Sequence, residues 1–345
     1  MLAGREKRLS EVRSSVTGMS VLPPAPFGRM ITAMITPFQP DGALDEAGAA
    51  WLAAHLVDAG NDALVVNGTT GESPTTTDAE KSRLVRIVVE AVAGRAKVVA
   101  GVGTNSTDHT IELARAAEAA GAEGLLVVSP YYSKPPQAGL ARHFAAVADA
   151  TALPVMIYDI PGRAGVPVDT ETLVRLAEHP HIVAVKDAKD DLGASSWVLA
   201  RTDLAYYSGT DMLTLPLLSI GGCGVVSVVS HLATPAIRSM IEAFGVGDAA
   251  RALALHRGLL PAFEGIFRSQ GVILTKAALA LAGLPAGPVR PPMVDATPAE
   301  TARLRADLAA ATLDPSGPPW PSGGVPHAAA GAANGFAVAA AGEGP

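Results

Sequence analysis

Lys186 closes the run His181-Ile182-Val183-Ala184-Val185-Lys186, a short apolar stretch that ends in an amine. Apolar runs of this kind bounded by turn chemistry read as strands buried on both faces, and ionised lysines are almost never buried without a partner. Such a side chain either snorkels to water or does chemistry. An ordinary lysine, with a pKa of about 10.4, is neutral in only about one molecule in a few thousand at pH 7, and burial lowers that pKa. Tuned to about 7–8, the amine can condense with a ketone to form a Schiff base.

Other residues could serve such an amine. In Gly68-Thr69-Thr70-Gly71-Glu72-Ser73 the glycines let the backbone turn tightly, so that several amides can converge on a small anion. Thr70 and its amide suit a carboxylate, and the Thr69 hydroxyl can both accept and donate a proton. The same hexapeptide is equally a Gly-Thr turn whose hydroxyls cap the next helix. Tyr131, Tyr132 and Tyr158 are candidate proton carriers, provided that a hydrogen-bond chain through Thr69 links a phenol to the amine; packing is the alternative for each. Arg163, in the Pro-Gly turn Ile160-Pro161-Gly162-Arg163, can clamp a carboxylate with two hydrogen bonds or stand in solvent.

These residues share a place in the chain. Strands are expected at Met30–Pro37, Ala63–Gly68, Val98–Gly103, Gly124–Ser129, Val155–Ile160, Ile182–Asp187, Ala205–Gly209 and Gly224–Val229, with helical periodicity between them, as in Asp45–Ala59, Asp78–Ala93, Thr107–Ala120 and Thr170–Glu178. Asp78 or Thr77 is the expected cap of its helix. Eight strand–helix units imply an α/β fold, the (β/α)8 TIM barrel, in which catalytic groups gather at the C-terminal ends of the strands. A doubly wound sheet is the alternative, but Thr36-Pro37-Phe38 offers no Gly-rich dinucleotide fingerprint after the first strand. Gly221-Gly222-Cys223-Gly224 precedes strand eight and reads as a tight turn at the opposite rim. Pro235–Phe244, Asp248–Phe263, Thr275–Ala282 and Pro298–Ala311 then form the last barrel helix and a C-terminal helical extension.

The expected organisation is a disordered leader over 1–28, a barrel over 29–234, the last barrel helix and extension over 235–313, and a flexible Ala/Gly/Pro tail over 314–345. A chain of 345 residues, 49% hydrophobic and 17% charged, can bury a large core. Its net charge of -7, with basic residues scattered, gives no footprint for nucleic acid or an acidic membrane. No apolar run approaches the roughly 18 residues needed to span a bilayer. The leader lacks a secretory apolar stretch, so the expected location is cytoplasmic. A single cysteine, Cys223, excludes an internal disulfide and a zinc cluster. His109, His143, His181, His231 and His256 show no paired metal-ligand spacing, and His109 and His143 read as helix-surface residues. No metal and no cofactor are expected.

Gly68–Ser73, Pro130-Tyr131-Tyr132, Tyr158 with Ile160–Arg163, Val185-Lys186-Asp187 and Gly224-Val225-Val226-Ser227 together make the chain resemble the dihydrodipicolinate synthase family of the N-acetylneuraminate lyase superfamily, from about Arg29 to Leu313. The resemblance implies that Lys186 condenses with pyruvate and that the enamine attacks L-aspartate-4-semialdehyde on the way to diaminopimelate and lysine. Tyr158 would be the principal acid–base residue, with Thr69 and Tyr132 completing the relay. Thr70 would hold the pyruvate carboxylate, Val226 and Gly209 would line its pocket, and Arg163 would receive the carboxylate of the second substrate. Tyr131 would contact a neighbouring active site in a homotetramer built as a pair of dimers.

Two departures from the family pattern bear on function. Tyr158-Asp159 and Gly162-Arg163-Ala164-Gly165 stand where many members carry Tyr-Asn and a Pro-Ser-Arg-Thr-Gly segment, and these leave the tyrosine and arginine in place. Asp78, Lys81 and His109 occupy positions where the family binds lysine with histidine and acidic side chains, so weak or absent lysine inhibition is expected. The rival readings are a sialic acid or keto-sugar-acid aldolase using the same lysine, and a non-catalytic keto-acid-sensing barrel. Arg163 argues against the first, because a sugar chain asks for hydroxyl partners rather than a cation. The second would tolerate loss of the amine, which is present here with its hydroxyl partners.

Overall fold

The computed structural model describes residues 22–315. Eight parallel strands close on themselves in chain order: β1 (Met30–Ala33), β2 (Ala63–Val66), β3 (Lys97–Gly101), β4 (Gly124–Val128), β5 (Val155–Asp159), β6 (Ile182–Asp187), β7 (Ala205–Ser208) and β8 (Gly224–Ser227), with β8 pairing back to β1. Each is followed by its helix: α1 (Glu46–Asp58), α2 (Asp78–Val92), α3 (Thr107–Ala119), α4 (Gln137–Ala148), α5 (Thr170–Leu176), α6 (Leu192–Leu199), α7 (Thr214–Ser219) and α8 (Ser230–Gly245). The (β/α)8 barrel expected from the periodicity is the observed fold, and each strand falls within a residue of its expected start. Several strands end sooner than expected, β1 at Ala33 and β8 at Ser227 among them.

Strand alternation divides the core in two. Met156, Tyr158, Ala184, Tyr207 and Val226 belong to the cluster inside the barrel, whereas Ile157, Val185 and Tyr206 pack against the helices. Lys186, two residues after Ala184, therefore points inward. It stands level with Tyr158 of β5 on one side and Tyr207 of β7 on the other.

Thr77 is the cap of α2, in a capping box with Glu80. The expected start of the last barrel helix at Pro235 is corrected: α8 begins at Ser230 and breaks at Ala233, two residues before the proline whose ring and missing N–H the preceding turn must accommodate. The leader also needs correction in part. Residues 1–21, like tail residues 316–345, lie outside the described residues. Phe27, by contrast, is buried, with its N–H donating to the Tyr207 hydroxyl at 3.1 Å. His143, expected on a helix surface, is buried on α4 with its Nδ1 3.0 Å from Thr107 Oγ1, and burial lowers its pKa to about 4. Cys223 is buried in the Gly-rich turn before β8. Among the described residues, no helix is long and apolar enough to cross a membrane, and no cluster of His, Cys, Asp and Glu could hold a metal ion.

The extension comprises α9 (Ala249–Ile266), α10 (Gly271–Leu281) and α11 (Pro298–Ala310). It is tied to the barrel by a buried ion pair: Lys276 Nζ on α10 lies 2.6 Å from Glu72 Oε1 in the loop after β2, and both residues are 3% exposed. The Arg290 N–H donates to the other Glu72 oxygen at 2.8 Å, while the Arg290 guanidinium grips Glu80 and lies over the Phe38 ring. The loop that presents Thr69 and Thr70 is thus fastened from behind by residues near the C-terminus.

Removing one member of such a pair leaves a buried, uncompensated charge. Lys276→Met is expected to cost about 3–5 kcal/mol in urea unfolding. A loss well under about 1 kcal/mol, the range of an exposed pair, would show that the Glu72 carboxylate is solvated instead.

Candidate active site

Above the C-terminal ends of β2 to β5 lies a cavity of about 650 Å³. Thr69, Tyr131, Tyr158 and Arg163 line it, together with Asn105 and His109. Lys186 sits beneath, with its Nζ 4.2 Å from the centroid of the Tyr158 ring.

The buried lysines differ in their company. Lys276 is paired with Glu72, and Lys81 lies 3.9 Å from Asp78 while donating to the Thr76 carbonyl. Among the described residues, no carboxylate stands within ion-pair distance of Lys186. Burial lowers its pKa from 10.5 to about 8; the Asp211 carboxylate nearby opposes the shift and the Arg163 cation adds to it. The consequence is large. At pH 8 an amine of pKa about 8 is neutral in about half of the molecules, against about one in three hundred at the ordinary value.

Burial pushes the Tyr158 phenol up to about 12, with Arg163 working against the shift, so at neutral pH it carries a proton to lend. Arg163 stands exposed at the cavity mouth, in the one-turn helix Pro161–Ala164. Thr69 is half-buried on the cavity wall. The turn carrying it is shaped by Glu72 N–H donating to the Thr69 carbonyl at 3.1 Å and by Thr36 Oγ1 donating to the Gly71 carbonyl at 2.6 Å. Thr70, next along that turn, is half-buried but not on the cavity wall. Val226 is buried inside the barrel beside Ile31 of β1. Gly209 touches the stem of the lysine: a Cβ there would stand 3.1 Å from Lys186 Cγ and 3.0 Å from the Asp187 carbonyl oxygen. A side chain at this position would crowd the stem of the lysine.

The two tyrosines of the pair occupy different surroundings in the single chain. Tyr131, assigned to a subunit contact, lines the cavity of its own chain and is 37% exposed. Tyr132, assigned to the relay, is 89% exposed and lies away from that cavity, with a φ of 74°. Holding a bulky residue in the left-handed region costs about 1–3 kcal/mol, and such strain gathers where function fixes the backbone.

Sequence reasoning missed Asp211. It is buried just after β7, where its carboxylate accepts from Ser227 Oγ and from the N–H groups of Val228 and Val229 at 3.1 and 3.4 Å. Burial raises its pKa, and these donors and the Lys186 charge pull against that. An acid following the strand-end Ser208-Gly209 was the available signal. Asp159 was noted only as a departure. It is buried, and burial raises its pKa to about 6 against the opposing Lys189 cation.

The barrel and its buried strand-end amine define a class, the (β/α)8 enzymes that form a Schiff base on lysine. Residues 26–311 match the model of the dihydrodipicolinate synthetase family, and the chain belongs to that family. It is 68% identical over 288 residues to 4-hydroxy-tetrahydrodipicolinate synthase 2 of Streptomyces coelicolor, covering 84% of this chain and 96% of that one. It is 70% identical over 290 residues to the 4-hydroxy-tetrahydrodipicolinate synthase of Acidothermus cellulolyticus, with 84% and 94% covered. Among solved structures, the dihydrodipicolinate synthase of Cyanidioschyzon merolae with lysine bound is similar at a TM-score of 0.82 and 47% identity, covering 83% of this chain and 99% of that one.

The buried amine sets the pH dependence. For a nucleophilic role of the neutral amine, the expected outcome is a kcat/KM for pyruvate, which reports the free enzyme, that rises with pH and levels off above a pKa of about 8. A limb still climbing toward the ordinary value of 10.5 would show that burial does not tune Lys186.

Proposed function

We propose that the chain is a 4-hydroxy-tetrahydrodipicolinate synthase, a lyase that condenses pyruvate with L-aspartate-4-semialdehyde in the diaminopimelate route to lysine. The observation that carries this reading is the unpaired, buried Lys186 amine against Tyr158, beneath a cavity with Arg163 at its mouth.

The neutral Lys186 amine adds to the ketone carbon of pyruvate, and loss of one water gives the imine. A proton leaves the pyruvate methyl to form the enamine, whose carbon attacks the aldehyde carbon of the second substrate; the aldehyde oxygen takes up a proton and becomes a hydroxyl. The amino group of that substrate then adds to the imine carbon and expels the Lys186 amine, which closes the ring. Every step moves a proton close to Nζ. Tyr158, still protonated at neutral pH, is the near carrier, and Thr69 is its outlet to the cavity. Thr70 and its amide receive the pyruvate carboxylate, with Val226 and Gly209 shaping the space around its carbon skeleton.

Arg163 selects the acceptor. A small amino-acid aldehyde presents a carboxylate that a guanidinium satisfies with two hydrogen bonds. The same reading places the enzyme in the cytoplasm as a homotetramer, a pair of dimers, with Tyr131 contacting a neighbouring active site and Tyr132 completing the proton relay.

Arg163→Ala is expected to raise KM for aspartate semialdehyde by about tenfold or more and to narrow its advantage over sugar aldehydes. An unchanged acceptor preference would return the keto-sugar-acid aldolase to contention. Lysine inhibition is expected to be weak. Asp78 is already engaged by His109 at 2.9 Å and by Lys81, so the ammonium of a bound lysine meets an occupied acid beside a cation. Strong inhibition by millimolar lysine in steady-state assays would contradict this.

A further inference from the structure

Strand alternation sends Tyr158 into the barrel and Asp159 the other way, toward the helices. Asp159 Oδ1 accepts from the Val168 N–H at 3.1 Å, and its Oδ2 lies 3.4 Å from Lys189 Nζ. Lys189 Nζ in turn donates to the Val168 carbonyl at 3.2 Å. The two side chains therefore hold both backbone polar groups of one residue, nine positions along the chain from Asp159.

The chain between, Ile160–Pro167, is the loop that brings Arg163 to the cavity mouth. Closing a short loop at its base restricts the conformations open to it. The exit of the loop is held from the other side too: Gln137, at the start of α4, donates to the Pro167 carbonyl at 2.9 Å and accepts from the Asp169 N–H at 3.0 Å. The Lys189 backbone is tied to the strand of the nucleophile, its N–H donating to Asp187 Oδ1 at 2.9 Å. Asp187 follows Lys186 directly and also accepts from Ser195 on α6. One connected set of polar contacts thus links the loop of Arg163 to the strand of Lys186. As a stability device a buried ion pair is poor, since apolar residues of the same volume often serve as well or better. Its use here is geometric.

We propose that Asp159 and Lys189 are positioning residues, a buried clamp that fixes the loop Ile160–Pro167 so that Arg163 meets the carboxylate of the aldehyde substrate, while pyruvate capture by Lys186 does not depend on it. This inference rests on the role given to Arg163 above. The test is steady-state kinetics of Asp159→Asn, Lys189→Met and the double variant, beside Arg163→Ala, with borohydride trapping in the presence of pyruvate alone as a second readout. Each single clamp variant is expected to raise KM for aspartate semialdehyde about tenfold, since small displacements of a substrate-holding group are costly. KM for pyruvate and the trapped fraction should stay within about twofold, and the double variant should be no worse than the poorer single, because the pair acts as one unit.

A purely structural pair would lower the thermal midpoint and leave the aldehyde KM where it was. That result, together with a raised KM in Arg163→Ala, overturns the clamp and spares the role of Arg163. An unmoved KM in Arg163→Ala overturns that role, and the clamp with it. Asp159→Asn is isosteric and keeps an acceptor for the Val168 N–H, so it decides the matter even where Lys189→Met is too unstable to assay.

Discussion

A lysine amine buried with no carboxylate of the described residues in ion-pair contact is the constraint on which the rest of the site depends. Taking an ammonium out of water is costly, and a partner at contact distance would offset that cost while holding the amine charged and inert. Lys81 and Lys276 have such partners in Asp78 and Glu72, which work against the lowering of their pKa by burial. Lys186 is buried as deeply, yet its nearest acidic influence, Asp211, spends its hydrogen bonds on Ser227 and the amides of Val228 and Val229. The outcome is an amine near neutrality at about pH 8, the state that imine formation needs.

The barrel supplies the positions. Because side chains alternate along each strand, Tyr158 and Lys186 both face the interior at one level, and their neighbours Asp159 and Asp187 face outward at the next. In the proposed mechanism the inward pair carries the chemistry. The outward pair fastens the loops that surround it, through Val168, Lys189 and Ser195. Behind the opposite wall, Glu72 and Lys276 fasten the turn of Thr69 and Thr70 in the same manner.

Much of this was legible in the sequence, because it is written in short-range periodicity. Eight apolar runs separated by helical intervals specify a barrel, and a barrel specifies that residues at the ends of its strands share a rim. Lys186, Tyr158, Thr69 and Arg163 could be named on that ground alone. What was not legible depends on partners distant in sequence or on backbone conformation. Asp211 acquires its meaning from amides about one strand further along, and the Asp159–Lys189 pair exists only because β5 and β6 are neighbours. The outward turn of Tyr132 is a left-handed backbone angle that no local pattern announces, and His143 and Phe27 are buried by elements from elsewhere in the chain. The actual depression of the lysine pKa is likewise a property of the packed interior.

The most direct test of the central claim is covalent capture. The protein is treated with borohydride in the presence of pyruvate and digested, and the modified peptide is located by mass spectrometry. The account predicts a single reduced pyruvyl adduct on Lys186, none on Lys81 or Lys276, and none when pyruvate is left out. An intact protein of unchanged mass, or an adduct on another lysine, would contradict it.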